Sequence, residues 1–449
     1  MARHLTDGQW IKAAHLKYLS DKLVDVAAGR IRRLIITLPP QNGKSKLASH
    51  WFPIWFLETF PDKRIVLVSY GAEYAESWGR TVRNGIDEHS QNLSVRLASD
   101  NGSAGEWETT VGGGMLSVGI GGSVTGRRAN LLIFDDPIKN AEEAGSETHR
   151  KKVWEFFQSA AYTRLTPDGC IIVIMTRWHE DDLVGKLDRE ERGGGEKWER
   201  INLPAIAEEN DAMGRSIGEP LWPSRWSLEA LARIKRAIGS YFWAALYQQR
   251  PAPPEGNYFK RAWFEIIEPD RVPAIRAWQR SWDLAATAEG ENGNDDPDWL
   301  AGAKVGISES GIYYVAGMVR ERLTPQGVES IIKQTAQIDG RQVAIRIEQE
   351  GAASGKIVKY YYTGMLDGFN ARFVSVPKSS KFIRSGPFNA ACERGDVKIV
   401  NGPWVEAFLD ELAAFPNGSH DDQVDAVVGG YEGLQGFSEQ VSEMVECVS

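Results

Sequence analysis

Apolar residues fall along this chain in two patterns that alternate. Short runs at 33–38, 64–69, 131–134 and 170–175 carry almost no polar interruption. Ile65-Val66-Leu67-Val68 and Ile171-Ile172-Val173-Ile174 carry none. A strand that is apolar at every position must bury both faces, as strands of a helix-covered parallel sheet do. Between these runs, 72–88 and 147–165 have helical character. The alternation predicts an α/β domain of the doubly wound kind, with a mainly parallel sheet. The pattern breaks at Gln248-Gln249-Arg250-Pro251-Ala252-Pro253-Pro254-Glu255-Gly256, where Pro and Gly stop helices and strands alike. Strands resume at 277–284, 299–305, 312–319 and 343–348, with helices at 325–339 and 424–434. The expected plan is a first domain over 1–247, including a small bridging subdomain near 200–247 around a helical stretch at 226–247. A linker follows at 248–262, then a second α/β domain at 263–437 and a flexible tail at 438–449.

Composition changes this picture little. A chain of 449 residues has room for two or three domains, and 42% hydrophobic with 25% charged residues describes a globular protein with ample core. No stretch approaches the roughly 20 apolar residues of a membrane span. The N-terminus lacks the apolar core of a secretory signal. Cys170, Cys392 and Cys447 are distant and odd in number, so no disulfide framework or zinc site is implied and a reducing, cytoplasmic setting is expected. The formal charge of −9 argues against a protein that coats nucleic acid, while leaving room for transient contact.

Candidate chemistry appears at two places. The run Leu34-Ile35-Ile36-Thr37-Leu38-Pro39-Pro40-Gln41-Asn42-Gly43-Lys44-Ser45 reads as a strand entering a phosphate loop. Such a loop points successive backbone N–H groups at phosphates and presents the positive end of the next helix. Gln41, Asn42, Gly43, Lys44 and Ser45 are the candidate nucleotide contacts, Ser45 also through Mg²⁺. Leu38 stands where the usual pattern has its first Gly, so the plainer reading is a strand-turn-helix with a surface lysine. A second apolar strand, Leu131-Leu132-Ile133-Phe134, ends in Asp135 and Asp136. Acids at the C-terminal end of a central parallel strand face the crevice where these sheets bind ligands. Asp135 suits a Mg²⁺ hydration shell and Asp136 suits the attacking water. Arg127 and Arg128 follow the Gly-rich stretch 111–126 and are candidate fingers for a γ-phosphate. Thr176, at the end of the next strand, is a candidate γ-phosphate sensor.

The second place is a set of carboxylates. Asp283 lies inside the apolar run Ser281-Trp282-Asp283-Leu284-Ala285, where a charge is costly unless paired or bound to metal. Glu348 ends Val343-Ala344-Ile345-Arg346-Ile347-Glu348. Asp421, Asp422 and Asp425 share one face at a helix start and repel unless a cation intervenes. Acids on two strands with a pair on a late helix make the arrangement of a ribonuclease H-like fold, able to hold one or two divalent ions for phosphodiester cleavage. Asp421 as a helix N-cap is the plainer alternative. Lys378, Lys381 and Arg384 form a basic cluster suited to DNA phosphates. Asp295, Asp296 and Asp298 read as solvated turn residues.

Taken in order, these motifs resemble the large terminase subunit of tailed bacteriophages. The resemblance rests on the phosphate loop ending in Lys44-Ser45, Thr125-Gly126-Arg127-Arg128 leading to Asp135-Asp136-Pro137, Met175-Thr176-Arg177-Trp178-His179, Trp282-Asp283-Leu284-Ala285, Ile347-Glu348-Gln349 and His420-Asp421-Asp422-Gln423-Val424-Asp425-Ala426. It implies an N-terminal P-loop ATPase domain and a C-terminal ribonuclease H-like nuclease domain, with ATP and Mg²⁺ or Mn²⁺ as cofactors. It implies that Asp283, Glu348 and Asp422 are metal acids, with Asp421 and Asp425 close behind, and that Thr176 couples hydrolysis to DNA movement. Double-stranded DNA, a portal protein and a small terminase subunit become expected partners. So does a ring of copies when docked on the portal in the host cytoplasm, with the chain in solution a monomer; no membrane is implied. The family's adenine-binding stretch falls near Gln9, Trp10 and His15. Two departures stand out: Asp136 replaces the common Glu, and Glu348 replaces the common Asp. A helicase or repair ATPase with an accessory nuclease, or an idle virion component, are the competing readings.

Overall fold

The uninterrupted apolar runs form the middle of a seven-stranded sheet. A computed structural model describes residues 1–99, 103–251, 258–284, 299–349, 362–375, 381–418 and 420–446. Its contacts divide the chain into two units, Met1–Lys235 with Ser240–Pro253, and Arg236–Gly239 with Pro254–Ser449. The first unit holds β1 (Arg33–Thr37), β2 (Arg64–Ser69), β3 (Glu106–Glu108), β4 (Gly114–Gly119), β5 (Ala129–Asp135), β6 (Leu165–Met175) and β7 (Glu199–Asn202). Their order is β3-β4-β2-β5-β6-β1-β7, antiparallel only between β3 and β4.

Both faces of this sheet are dry. Leu34, Ile36, Ile65, Leu67, Leu131, Ile133, Ile172 and Ile174 pack on one side with the helices Ala14–Ala27, Phe52–Thr59 and Ala72–Glu88. Ile35, Val66, Val68, Leu132, Phe134, Ile171 and Val173 pack on the other with Glu147–Glu155 and Leu183–Arg192. Alternate residues of one strand therefore feed two cores, which is why none of them is polar. The Gly-rich stretch 111–126 contains β4. Gly119 is needed there, since a Cβ on it would stand 2.4 Å from the backbone nitrogen of Ala72.

The second unit holds β8 (Glu265–Ile267), β9 (Ile275–Asp283), β10 (Leu300–Ser308), β11 (Tyr313–Glu321), β12 (Val343–Gln349), β13 (Ala371–Ser375) and β14 (Val397–Val400). Their order is β13-β12-β9-β10-β11-β14-β8. β9, β10 and β11 form an antiparallel meander, and β12 then β13 add parallel strands beside β9. This is the ribonuclease H-like layout. Trp282, Ile345, Ile347, Ile332 and Ala336 fill the core on one face. Across the sheet lies the helix Asp422–Glu446, seated close enough that a Cβ at Gly430 would stand 2.6 Å from Val305 Cγ2. Gln279 Nε2 donates to Gly429 O at 3.1 Å. This helix takes in residues 438–446 of the expected tail. Residues 252–257 of the expected linker, Lys378, and Asp295, Asp296 and Asp298 lie outside the described residues.

Candidate nucleotide and nuclease sites

The chain leaves β1 at Thr37 and turns through Pro39–Gly43 into a helix, π-helical over Lys46–Trp51. Two left-handed backbone steps, Gln41 at φ 58° and Gly43 at φ 83°, close the loop. Gly43 also lies against Leu16, whose Cδ2 would meet a Cβ there at 3.1 Å. His15 Nε2 lies 2.9 Å from Asn42 O. Burial lowers the pKa of this imidazole, so it is neutral and its N–H donates, pinning the loop to the helix Ala14–Ala27.

β6 lies between β1 and β5, so the loop and the acids are two strand spacings apart, about 10 Å. Lys44 crosses that gap over the end of β6. Its Nζ stands 2.6 Å from Asp136 Oδ2 with the side chain 9% exposed. Ser45 Oγ donates to Asp135 Oδ1 at 2.9 Å and Ser49 Oγ to Asp135 Oδ2 at 2.7 Å. Asp136 Oδ1 accepts from the Thr176 amide at 2.9 Å, and Thr176 Oγ1 donates to Leu38 O at 3.2 Å. The ends of β1, β5 and β6 are thus tied into one network. Asp136 sits at φ 44°, a left-handed setting that costs a non-glycine residue about 1 kcal/mol or more. It is held there by Asp136 N donating to Ile174 O and Tyr70 N donating to Asp136 O.

The electrostatics follow from crowding. Burial and the neighbouring Asp136 push the Asp135 carboxyl up, against the pull of Lys44. Burial alone would depress the Lys44 ammonium, but Asp136 and Asp135 outweigh it and hold its pKa above the ordinary value. Two carboxylates against one ammonium leave a negative pocket suited to a divalent cation.

In the second unit, β12 runs parallel to β9 with Ile347 opposite Trp282, which sets Glu348 level with Asp283 at the strand ends. The helix Asp422–Glu446 brings its acids over the same ends. Asp283 is pushed up to about 8, first by burial and then by Asp425, with Lys381 opposing and Glu348 and Asp422 adding. Asp425 is pushed up to about 6, chiefly by burial. Lys381 Nζ bridges Asp421 Oδ1 at 2.7 Å and Asp425 Oδ2 at 2.6 Å. Glu348 is clamped by guanidinium groups: Arg384 Nη2 at 2.6 Å and Nη1 at 3.3 Å, and Arg346 Nη1 at 3.1 Å. Glu432 holds Arg346 from its other side at 3.0 Å. Gln423 donates its amide N–H and Nε2 to Glu411, fixing the start of the helix. Among the described residues no three His, Cys, Asp or Glu side chains are gathered as they stand to hold an ion.

Family comparison decides what this pair of sites belongs to. The model described as terminase large subunit, T4likevirus-type, N-terminal, matches residues 35–266, over half of the chain. The terminase RNaseH-like domain matches residues 280–432. The chain belongs to the terminase large-subunit family. Among solved structures, the large terminase of a thermophilic bacteriophage is similar at 12% identity and a TM-score of 0.49, over 91% of this chain and 97% of that one. The complex of that same phage terminase with ADP gives 11% and 0.49 over the same shares. The HK97 bacteriophage large terminase gives 13% and 0.36, over 92% of this chain and 94% of that one. No curated protein matches.

This terminase chain places some residues otherwise than its sequence suggested. Arg127 and Arg128 were expected to swing toward the γ-phosphate. They are exposed and precede β5, beside Arg64 and Gly114 at the starts of β2 and β4, and Arg127 Nε pairs with Glu106 at 2.6 Å. Asp135 ends the same strand, about 20 Å away along extended chain. Neither arginine can reach its own phosphate loop while β5 is intact. Arg384 was expected on DNA phosphates; it is buried between Glu348 and Glu432. Lys381 remains half exposed. Three terminase site residues were missed. Ser49 lies one turn after Ser45, a spacing that could have revealed it. Tyr74, whose hydroxyl is pushed up by burial and by the field of Asp135, comes from the helix Ala72–Glu88 and leaves no trace in sequence spacing. Arg346 hid inside an apolar strand, where its charge was itself the clue.

Proposed function

We propose that the chain is an ATP-driven motor that moves double-stranded DNA into a prohead, and that its second unit is a metal-dependent endonuclease that cuts concatemeric DNA. The observation that carries this is the pairing of Lys44 with Asp136, and of Ser45 with Asp135, across the sheet crevice of a terminase-family chain. In this reading 1–247 is the motor domain with a bridging part near 200–247, and 263–437 is the nuclease. Gln41 to Lys44 would cradle the ATP phosphates, Ser45 and Asp135 would hold Mg²⁺, and Asp136 would orient the attacking water. Thr176, bonded both to Asp136 and to the loop through Leu38 O, passes the hydrolysis state onward. Arg177 continues that path, its amide donating to Gln249 Oε1 at 2.9 Å. Arg127 or Arg128, remote from its own loop, serves the phosphate of a neighbouring copy in a ring docked on the portal.

In the nuclease, hard carboxylate oxygens suit Mg²⁺ or Mn²⁺. The ammonium bridging Asp421 and Asp425 is a stand-in for such a cation. Asp283, Glu348 and Asp422 would hold the ions, with Asp421 and Asp425 adjoining. When bound, a divalent ion polarises the phosphate and supplies hydroxide at neutral pH. Lys381 faces the DNA strand. The small terminase subunit and portal supply docking that an acidic chain lacks, in the host cytoplasm. A packaging assay tests this: with portal-bearing proheads and ATP, the chain should protect long DNA from added nuclease, and Lys44→Ala should abolish protection. Strand separation without proheads, and no protection with them, would favour a helicase instead.

A further inference from the structure

The acidic cluster of the second unit carries its own counter-charges, and they are not alike. Arg384 grips Glu348 with a buried planar fork, and Arg346, bonded to Glu432, brings its Nη1 to 3.1 Å from the same carboxylate, their side chains 6% and 8% exposed. Lys381 is half exposed, on a flexible stem, and holds Asp421 and Asp425 through one compact ammonium. A guanidinium fork fixed on two sides stays put; a point charge on four methylenes can leave. The Lys381 nitrogen also occupies the place from which a divalent ion would reach the adjoining Asp421 and Asp425, since it lies at 2.6–2.7 Å from oxygens of both carboxylates. A divalent ion binds such oxygens at about 2.0–2.6 Å, so the two cations exclude one another.

We propose that Lys381 is the resident counter-cation of the nuclease site: it holds Asp421 and Asp425 together without metal, competes with the divalent ion for them, and is released toward DNA phosphate when the ion binds. This inference rests on the nuclease reading above. It gives Lys381 two successive partners. Before metal arrives, the ammonium prevents the repulsion that Asp421, Asp425 and Asp283 would otherwise exert. After metal arrives, the same charge is free for the substrate, so metal loading and DNA engagement are coupled through one side chain. Arg384 and Arg346 do not exchange; they keep Glu348 aimed throughout.

The test is Mn²⁺ titration of the nucleotide-free full chain, followed by calorimetry or by the loss of free-Mn²⁺ paramagnetic signal. The site's own signal is the part of the isotherm that Asp422→Asn removes. Lys381→Met, which keeps length and loses charge, should tighten that part about five- to tenfold, the worth of one or two partly exposed ion pairs. Lys381→Arg, which keeps a cation, should stay within about twofold of the wild type. Without metal, Lys381→Met should melt below the wild type, and saturating Mn²⁺ should close the gap. Unchanged or weaker Mn²⁺ binding in Lys381→Met overturns the inference, as do equal shifts in Met and Arg variants, which would point to shape rather than charge. If Asp422→Asn removes nothing from either the wild-type or the Lys381→Met isotherm, the nuclease reading itself fails and takes this inference with it.

Discussion

Lys44 matters through the charge it offsets as much as through what it binds. Its ammonium pairs with Asp136 and feels the field of Asp135, two carboxylates at the end of one strand. Lys44→Ala should cut ATP hydrolysis by about a hundredfold or more, measured by phosphate release. It should also destabilise the first unit by about 3–5 kcal/mol, because it leaves buried charge uncompensated. A melting temperature equal to the wild type would contradict that second effect. Asp283 and Asp425 make a pH prediction. Both carboxyls are raised, to about 8 and about 6. Their ordinary value is about 4, so the stability they contribute is full below about pH 4 and is lost as pH rises through 6 and then 8. A metal needs both deprotonated, so Mn²⁺ should bind more tightly as pH climbs from about 6 to 8 and should offset the lost stability. A Mn²⁺-induced rise in melting temperature that is flat across that range would contradict the assignment.

At the scale of elements, the chain was legible wherever one local pattern decided the outcome. The all-apolar runs at 65–68 and 171–174 could only be doubly buried strands, and they lie in β2 and the end of β6. β4 was hidden because its glycines, forced by close backbone approach at Gly119, look like a loop. The helix expected over 147–165 is there, α-helical over Glu147–Glu155, π-helical over Phe156–Ala161 and 3-10 over Tyr162–Arg164. The last helix owes its seat to small residues. A Cβ on Gly429 would stand 2.3 Å from Arg346 Nη1, 2.5 Å from Ser281 Oγ and 3.0 Å from Glu348 Oε1. Gly429→Ala should therefore cost about 1–3 kcal/mol in urea unfolding of the second unit and weaken the Arg346–Glu348 clamp. Unfolding indistinguishable from the wild type would show that the helix tolerates a wider seat.

At the scale of the whole molecule, each site is assembled from distant stretches. The acids and the phosphate loop were visible because each closes a recognisable strand. Their partner Tyr74 and the inward turn of Arg384 were not, because tertiary packing chose them. The same is true of Arg127, whose distance from Lys44 depends on the direction of β5. If that arginine acts on a neighbour, chains carrying Lys44→Ala and chains carrying Arg127→Ala, each inactive alone, should regain ATP hydrolysis when mixed on portal-bearing proheads. No recovery on mixing would place the finger elsewhere.

The central claim is that one chain runs two separate phosphate chemistries. It is tested most directly by measuring ATP hydrolysis and Mn²⁺-dependent plasmid nicking side by side in Lys44→Ala and Asp283→Asn. Lys44→Ala should lose hydrolysis and keep nicking; Asp283→Asn should lose nicking and keep hydrolysis. Nicking that survives Asp283→Asn, or hydrolysis that survives Lys44→Ala, would contradict it.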